Sequence, residues 1–405
     1  MPDMSVKTPS KDPTTTPEPK LTRALDLAME LMAIPGKSGE EGRVVEFIKA
    51  KLRGAGVPSL AIRADNAHKH IPFGGEVGNL IVQLAGTAPA PRRLLMAHMD
   101  TVPICVGSKP VRDGGFIRSS DPVTGLGADD RAGCAVVLNT LLEIIERKLP
   151  HPPLTFLWAI QEEIGLYGAR HVQLNLLGKP KLAFNWDGGS IEKVTIGATG
   201  GYRLSITVEG LASHAGGAPE RGVSAIAIAS LAIADLVENG WHGLIKKGSR
   251  LGTSNIGVFH GGAATNVVTD RVEIRAEARS HDPKFRARIV REIERAFARA
   301  AKRVKNTDRV RGKVKIDGRL DYESFRLAED EPCLNVADEA IRSVGAEPSR
   351  SISNGGLDAN WMSARGIPTV TLGCGQMDIH TTSEKLDISA FEQACKIALR
   401  IATAN

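Results

Sequence analysis

The chain is poor in the residues that mark several protein classes. Its 405 residues include five cysteines (Cys105, Cys134, Cys333, Cys374 and Cys395), an odd number with no C-x-x-C spacing. That argues against a disulfide framework or a thiolate-held metal and for a reducing compartment, the cytoplasm. Aromatic residues make up only 4%. A basic stretch at 295–315 and a formal charge of +6 therefore lack the stacking platforms that single-stranded nucleic acid requires. They read as a solvated face, and no nucleic-acid partner is expected. No apolar run approaches the ~20 residues that span a bilayer, so no membrane partner is expected either. Residues 1–20 are rich in Pro, Thr, Ser and Lys without an apolar centre, and read as a disordered tail rather than a signal peptide. No internal repeat is visible.

What is present is ordinary in bulk, 42% hydrophobic and 24% charged, as in a soluble globular protein. At ~100–200 residues per domain the length allows two or three. The stretch from Leu94 to Gly133 is the informative one. The apolar run Leu94–Ala97 ends in His98-Met99-Asp100, the pattern of a buried parallel strand opening into a loop. Ligands of open α/β sheets bind beyond such strand ends. His98 and Asp100 are two apart and share a side of an extended chain, and a metal-binding histidine usually gives its second N–H to a carboxylate. Taken alone, His-x-Asp is as often a surface hydrogen-bonded pair. Further on, Asp129 and Asp130 follow Gly125 and Gly127 and precede an apolar run from Ala132.

Period and punctuation predict helices over 21–34, 40–52 (with Ser38 and Glu41 as a capping box), 132–145 and 168–177, and strands over 79–84, 93–97, 154–160 and 182–186. The strand at 154–160 runs into Gln161-Glu162-Glu163, and the strand at 182–186 into Asp187-Gly188-Gly189. Three predicted strands therefore finish in a candidate ligand: His98, Glu163 and Asp187. A Glu-Glu pair alone is a charged loop. Adjacent strand residues face opposite ways, so both glutamates serve one site only if the strand is finishing there.

From about Gly197 the order becomes strand 202–208, helix 224–237, strands 254–259 and 271–278, helix 284–304 and strand 311–316. This is the split β-α-β-β-α-β arrangement of a ferredoxin-like unit. The first pattern then resumes with helices at 332–343, 357–364 and 389–403, a strand at 368–372, and His380. The expected fold class is α/β: a catalytic domain (21–197 and 320–405) with a mostly parallel central sheet flanked by helices, interrupted by an inserted α+β lid or dimerisation domain (198–319).

His98, Asp129, Glu163, Asp187 and His380 are imidazole and oxygen donors without a thiolate, a set suited to two zinc ions, or cobalt or manganese. Such a pair makes a water acidic, and Glu162 is a spare carboxylate able to take its proton. The remaining histidines (His68, His70, His151, His171, His242, His260 and His281) match no ligand position and read as loop or surface residues.

The segments HMDTVP, GADDRAG, EEIGLYGA, WDGG, SHAG, NVVTDR, ARSHD and IHTTSE occur here in one order. In that order they resemble the two-zinc exopeptidases, a family that includes peptidase T, bacterial glutamate carboxypeptidase and aminoacylase. The resemblance runs from Leu21 to the C-terminus and is greatest to the peptidase T-like, tripeptide aminopeptidase-like branch, for example in GLDANWMSARGIPTVTLG. It implies that His98 and Asp187 hold one metal, Glu163 and His380 the other, and that Asp129 bridges. It implies that Asp100 orients His98, that Glu162 is general base and then proton donor, and that the inserted unit is a dimerisation or lid domain. His214 would polarise the substrate carbonyl from the partner subunit of a homodimer. Asn266 and Arg279 would hold the peptide, and Gly355 and Gly356 would line the cleft. It also implies a cis peptide between Asp129 and Asp130. The chain departs from many relatives at Thr269, where they have proline, and at Arg131, where they have lysine. Asp187, where glutamate carboxypeptidase and aminoacylase members carry Glu, favours an aminopeptidase. The expected activity is hydrolysis of short peptides from the N-terminal end. The alternatives are hydrolysis of N-acyl amino acids or carboxypeptidase action on the same site, or a non-catalytic binding protein, against which the complete ligand set and Glu162 argue.

Overall fold

The computed structural model describes residues 18–403. Most of the expected disordered tail, residues 1–17, lies outside the described residues. Its last three residues, 18–20, are placed rather than disordered: Pro19 is buried and the Lys20 ammonium meets Glu146 at 2.7 Å.

The chain folds as a mostly parallel sheet flanked by helices, with a second, antiparallel sheet inserted. The order across the first sheet is 62–64, 80–84, 154–159, 93–98, 182–188, 369–373, 193–198 and 325–326, with 349–353 also pairing on 193–198. The strands Leu154–Ala159, Arg93–His98, Leu182–Gly188 and Thr369–Gly373 form its parallel centre. Alternation sends each strand's side chains into two different layers. Leu95, Ala97, Phe156, Trp158, Phe184 and Trp186 enter the larger core with the helices Leu21–Ala33, Ala128–Arg147 and Ile388–Thr403. Leu94, Met96, Leu157 and Ala183 enter a smaller one beneath Tyr167–His171 and Asp358–Ala364. Burial on both faces explains why these strands read as continuous apolar runs. Arg131 is fully buried and donates to the carbonyls of Leu31 and Gly36, tying the long helix to the first one.

The inserted sheet has the order 243–247, 250–261, 271–280, 200–209, 313–322. It carries one strand more than the four-stranded unit expected: Gly243–Lys247 forms a hairpin with Arg250–Gly261. Its segment Gly-Leu-Ile-Lys-Lys has no alternation that marks a strand. The helices Ala225–Glu238 and Pro283–Arg303 cover one face, packing Ile228, Phe285, Ile289 and Phe297 on Leu204, Ile206 and Val208. Ser224 and Asp282 cap these two helices. The opposite face carries Arg203, Arg275, Glu277, Arg279 and Arg319 and is not covered by helices. The insert leaves after Ala198 and returns at Phe325, which pairs with Ala198, so its two connections lie side by side. The expected single helix over 168–177 is instead two pieces, Tyr167–His171 and a 3-10 turn at Leu174–Leu177; between them Gln173 N donates to Asp65.

Gly133 sits where the long helix crosses the strand Leu182–Gly188. A Cβ there would lie 1.9 Å from the Trp186 carbonyl oxygen. Gly133→Ala is therefore expected to lower the denaturation midpoint by an amount equivalent to about 1–3 kcal/mol. Gly115→Ala, with nothing within 4 Å of the added carbon, should leave it near wild type. Equal midpoints for the two variants would refute this packing.

Candidate metal centre

The site assembles at the carboxyl edge of the parallel strands. His98 ends one strand, Asp187 is near the end of the next, and Glu162 and Glu163 follow a third. Asp129 stands at the entrance of the long helix, before its regular backbone begins, and the Asp129–Asp130 bond is cis. His380 comes from the loop after Thr369–Gly373. The strand before the glutamates stops at Ala159, and Gln161 has a left-handed φ of 49°. That turn lets the two adjacent carboxylates share one cavity.

Two triads of donors converge, His98/Asp129/Asp187 and Asp129/Glu163/His380, each with its atoms within 4.8 Å of one another. They share Asp129 through its two oxygens. Oδ1 lies 3.2 Å from His98 Nε2 and Oδ2 lies 3.1 Å from His380 Nε2. Glu163 Oε1 is 3.0 Å from His380 Nε2, and Asp187 Oδ1 is 3.7 Å from His98 Nε2. His98 turns its Nδ1 toward Asp100 Oδ1 at 3.3 Å, which leaves Nε2 aimed into the cluster. The donors are imidazole and carboxylate throughout, each triad open to a further ligand, and they fit a pair of divalent cations of the zinc, cobalt or manganese type.

The electrostatics point the same way. The carboxylates of Asp100, Asp129, Glu162, Glu163 and Asp187, all but excluded from solvent, crowd around the buried His98 and the partly exposed His380. Burial of clustered carboxylates without compensating charge is costly. Burial is the main cause that pushes Glu163 up to about 7, with repulsion from Asp129 and Asp100 adding to it and the His380 hydrogen bond opposing it. Burial also raises Asp187, with Asp129 adding and His98 opposing. Burial would raise Asp129 as well, but hydrogen bonds from His380 and His98 hold it below the usual carboxylate range. Hydrogen bonds to Asp129 and Glu163 lift His380 to about 10. This is an acid cluster short of positive charge; bound cations would lower the raised carboxyls of Glu163 and Asp187 and displace the proton from His380.

Several positioning residues escaped the sequence reading. Ser38 and Glu41 do not form the expected capping box. Ser38 Oγ donates to Asp100 Oδ2 at 2.6 Å, and Glu41 Oε1 accepts from the N–H groups of Gly39 and Gln161. Tertiary partners have taken both side chains from the helix end. Asp100 also accepts from the backbone N–H of Glu162 (2.9 Å) and Glu163 (3.2 Å), so one carboxylate holds His98 and both glutamates. Glu384 accepts from Gly127 N–H at 2.8 Å and Asp129 N–H at 3.0 Å; it lies inside the IHTTSE segment, where spacing alone assigns it nothing. Asp358 is 1% exposed, and burial pushes its carboxyl up to about 8, with Asp187 and Asp100 adding and His98 opposing.

A cavity of about 560 Å³ opens on the cluster, lined by Asp129, Glu162, Glu163, Asp187 and His380 on one side. Gly355, Gly356 and Arg279 also line it. His214 and Asn266 do not. They lie together on the inserted unit, His214 in and Asn266 just before the strands of the two-stranded ribbon 213–214/267–268, where Ala215 N–H donates to the Asn266 carbonyl.

Because Asp129 belongs to both triads and Asp187 to one, their substitutions should separate. After dialysis against metal-free buffer, Asp129→Ala is expected to retain almost no metal and Asp187→Ala to lose mainly one of the two ions, as measured by inductively coupled plasma mass spectrometry. Equal retention by the two variants would refute the shared-ligand arrangement.

Residues 94–404 match the family described as peptidase family M20/M25/M40. The chain is 31% identical over 380 residues to the protein YqjE of Bacillus subtilis, covering 94% of this chain and 97% of that one. A tripeptidase structure from Staphylococcus aureus superposes with a TM-score of 0.85 at 33% identity, covering 96% and 99% of the two chains. Aminopeptidase PepT from Bacillus cereus superposes with a TM-score of 0.80 at 32% identity, covering 95% and 98%. By this match over residues 94–404 and these relatives, the chain belongs to the M20/M25/M40 family of metal-dependent peptidases.

Proposed function

We propose that this protein is a two-zinc aminopeptidase that cleaves tripeptides and other short peptides from the N-terminal end. The observation that carries the reading is the pair of triads joined by Asp129, with the further carboxylate of Glu162 in neither triad but on the wall of the same cavity. Similarity to a tripeptidase and to an aminopeptidase at 33% and 32% identity favours peptides over N-acyl amino acids. His98 and Asp187 would hold one cation, Glu163 and His380 the other, with Asp129 between. Two such cations supply Lewis acidity, polarising a carbonyl and bringing the pKa of water toward ~7.

Glu162 takes a proton from the attacking water on its carboxylate and delivers it to the leaving amine. Its backbone is anchored on Asp100. Burial pushes its carboxyl above the usual range, with Asp187, Asp358 and Glu163 adding to the effect and His98 opposing it. Asp100 keeps His98 in the orientation that presents Nε2. Arg279, on the opposite wall, is a forked donor for the substrate's carboxylate, and Gly355 and Gly356 leave room for the peptide backbone.

His214 acts on the substrate carbonyl from the neighbouring subunit of a homodimer. Its Nδ1 accepts from the N–H groups of Gly216 (3.1 Å) and Gly217 (2.9 Å), which places the proton of the neutral ring on Nε2, a donor that faces away from its own loop. It is exposed in its own chain, as are the nearby Leu211 and Val267. Asn266 would hold the peptide from the same ribbon. Five cysteines, all free and buried, support a cytoplasmic location, and among the described residues no helix is long and apolar enough to cross a membrane.

Metal-loaded protein should release the N-terminal residue from a panel of tripeptides. Hydrolysis of N-acetyl amino acids alone, or release from the C-terminal end, would overturn the specificity. Glu162→Ala is expected to keep its metals and lose about 10²–10⁴-fold in kcat; intact turnover would exclude this base. Glu162→Ala and His214→Ala should each be nearly inactive, and activity should return when their subunits are exchanged, because a mixed dimer contains one complete site. Verified exchange without activity would place His214 outside the partner's site.

A further inference from the structure

The cavity has two walls of opposite charge. Facing the acid cluster are Arg203, Arg279 and Tyr322 of the inserted sheet. Register explains how they meet. Arg203 on the strand Gly200–Glu209 pairs with Glu277 on one side and Arg319 on the other, while Gly201, two residues earlier on the same face, pairs with Arg279 and Tyr322. Gly201 is thus the floor of a notch whose rim is Arg203, Arg279 and Tyr322. A Cβ at Gly201 would lie 2.9 Å from the Tyr322 ring, so the notch exists because this residue has no side chain.

The charges around the notch do not cancel. Arg279 uses Nε and Nη2 to bind both oxygens of Glu277 at 3.0 and 2.9 Å, leaving the other edge of the guanidinium, Nη1 and the second N–H of Nη2, as a fork for a ligand. Asp321, nearly fully buried, contacts Arg203 and also has Arg319 at 3.4 Å. Three guanidinium groups therefore share two carboxylates, and Asp321 has a second cation if Arg203 turns away. Arg203 keeps 47% of its side chain exposed although its partner is buried. A half-exposed arginine that lines the cavity, and whose buried partner has a second cation within reach, is suited to a planar anion.

Building on the peptidase reading, we propose that Arg203 is a substrate-specificity residue: with Arg279 it binds the free α-carboxylate of the substrate over Gly201. The acid wall takes the scissile end and the arginine wall takes the far terminus. The preferred substrates are then short peptides with a free carboxyl end, and peptides whose chain continues past that point leave both guanidinium groups unmatched. Tyr322, packed on Gly201, borders the same anion.

The test compares a tripeptide with its C-terminal amide on metal-loaded enzyme. Wild type should prefer the acid. Arg203→Ala is expected to lose about 10–100-fold in kcat/KM on the acid, the worth of one charge-assisted hydrogen bond. The loss should fall mainly on KM and should be at least tenfold smaller on the amide. Arg203→Lys should recover part of the acid preference and covers the case in which the alanine variant folds poorly, with metal content and melting temperature measured for both. Equal losses on acid and amide, or no loss on either, would overturn the proposal. If wild type cleaves N-acetyl amino acids and no tripeptide, the aminopeptidase reading fails. The same acid-to-amide comparison on those substrates then still decides the role of Arg203.

Discussion

The structure is organised around one side chain that must serve two sites. Asp129 presents one oxygen toward His98 and the other toward His380, and each of those histidines brings a carboxylate of its own. The placement is enforced from behind. Glu384 takes the N–H groups of Gly127 and Asp129 on its two oxygens, and Asp130, the next residue, accepts from the backbone N–H of His98. The loop that carries the shared carboxylate is thereby fixed both to the strand that carries one imidazole and to the segment that carries the other. Small displacements of such groups cost much of their chemical value, which accounts for the number of partners devoted to three residues of loop.

Burying so many acids in one place is a problem that the fold answers with hydrogen-bond donors before any cation is considered. Asp100 is fully buried, yet it receives Ser38 Oγ–H and two backbone N–H groups besides its contact with His98. A carboxylate so surrounded stays charged: burial pulls its pKa upward, but the His98 and Ser38 hydrogen bonds hold it below the ordinary value. Glu162 has fewer such donors and is pushed the other way. Under the same burial, two neighbouring acids thus shift in opposite directions, according to the donors each receives.

The inserted unit supplies the opposite charge. Its sheet buries one face under two helices and leaves the other polar, as antiparallel sheets can. Because the insert leaves and rejoins the parallel sheet at neighbouring positions, its polar face can stand across from the acid cluster. The cavity is lined by acids of the first unit and by Arg203 and Arg279 of the second, the polarity that the proposed substrate, with its free carboxylate, requires. The ribbon with His214 and Asn266 belongs to the same unit, but neither residue lines this cavity, so one chain encloses only part of the catalytic constellation proposed here.

Much of the parallel sheet was legible in the amino-acid sequence, because strands buried on both faces are short apolar runs. Their ends are conspicuous when the next residues are His98-Met99-Asp100, Glu162-Glu163 or Asp187-Gly188-Gly189. His98, Glu163 and Asp187 stood out for the same reason, each at a break between an apolar run and a loop, whereas Asp129 and His380 lie in loops that no such run marks. What the sequence could not determine was decided by contacts between distant segments. Ser38 and Glu41 have the spacing of a helix cap, yet stronger acceptors and donors at Asp100 and Gln161 claimed them. Glu384 reaches across 255 residues to Asp129, and no local period records such a distance. The strand Gly243–Lys247 and the grouping of Arg203, Arg279 and Tyr322 around Gly201 depend on strand register, a property of pairing between segments. Local pattern thus determined the elements and the kinds of donor at their ends, whereas tertiary packing decided which donors share a carboxylate and which residues hold them in place.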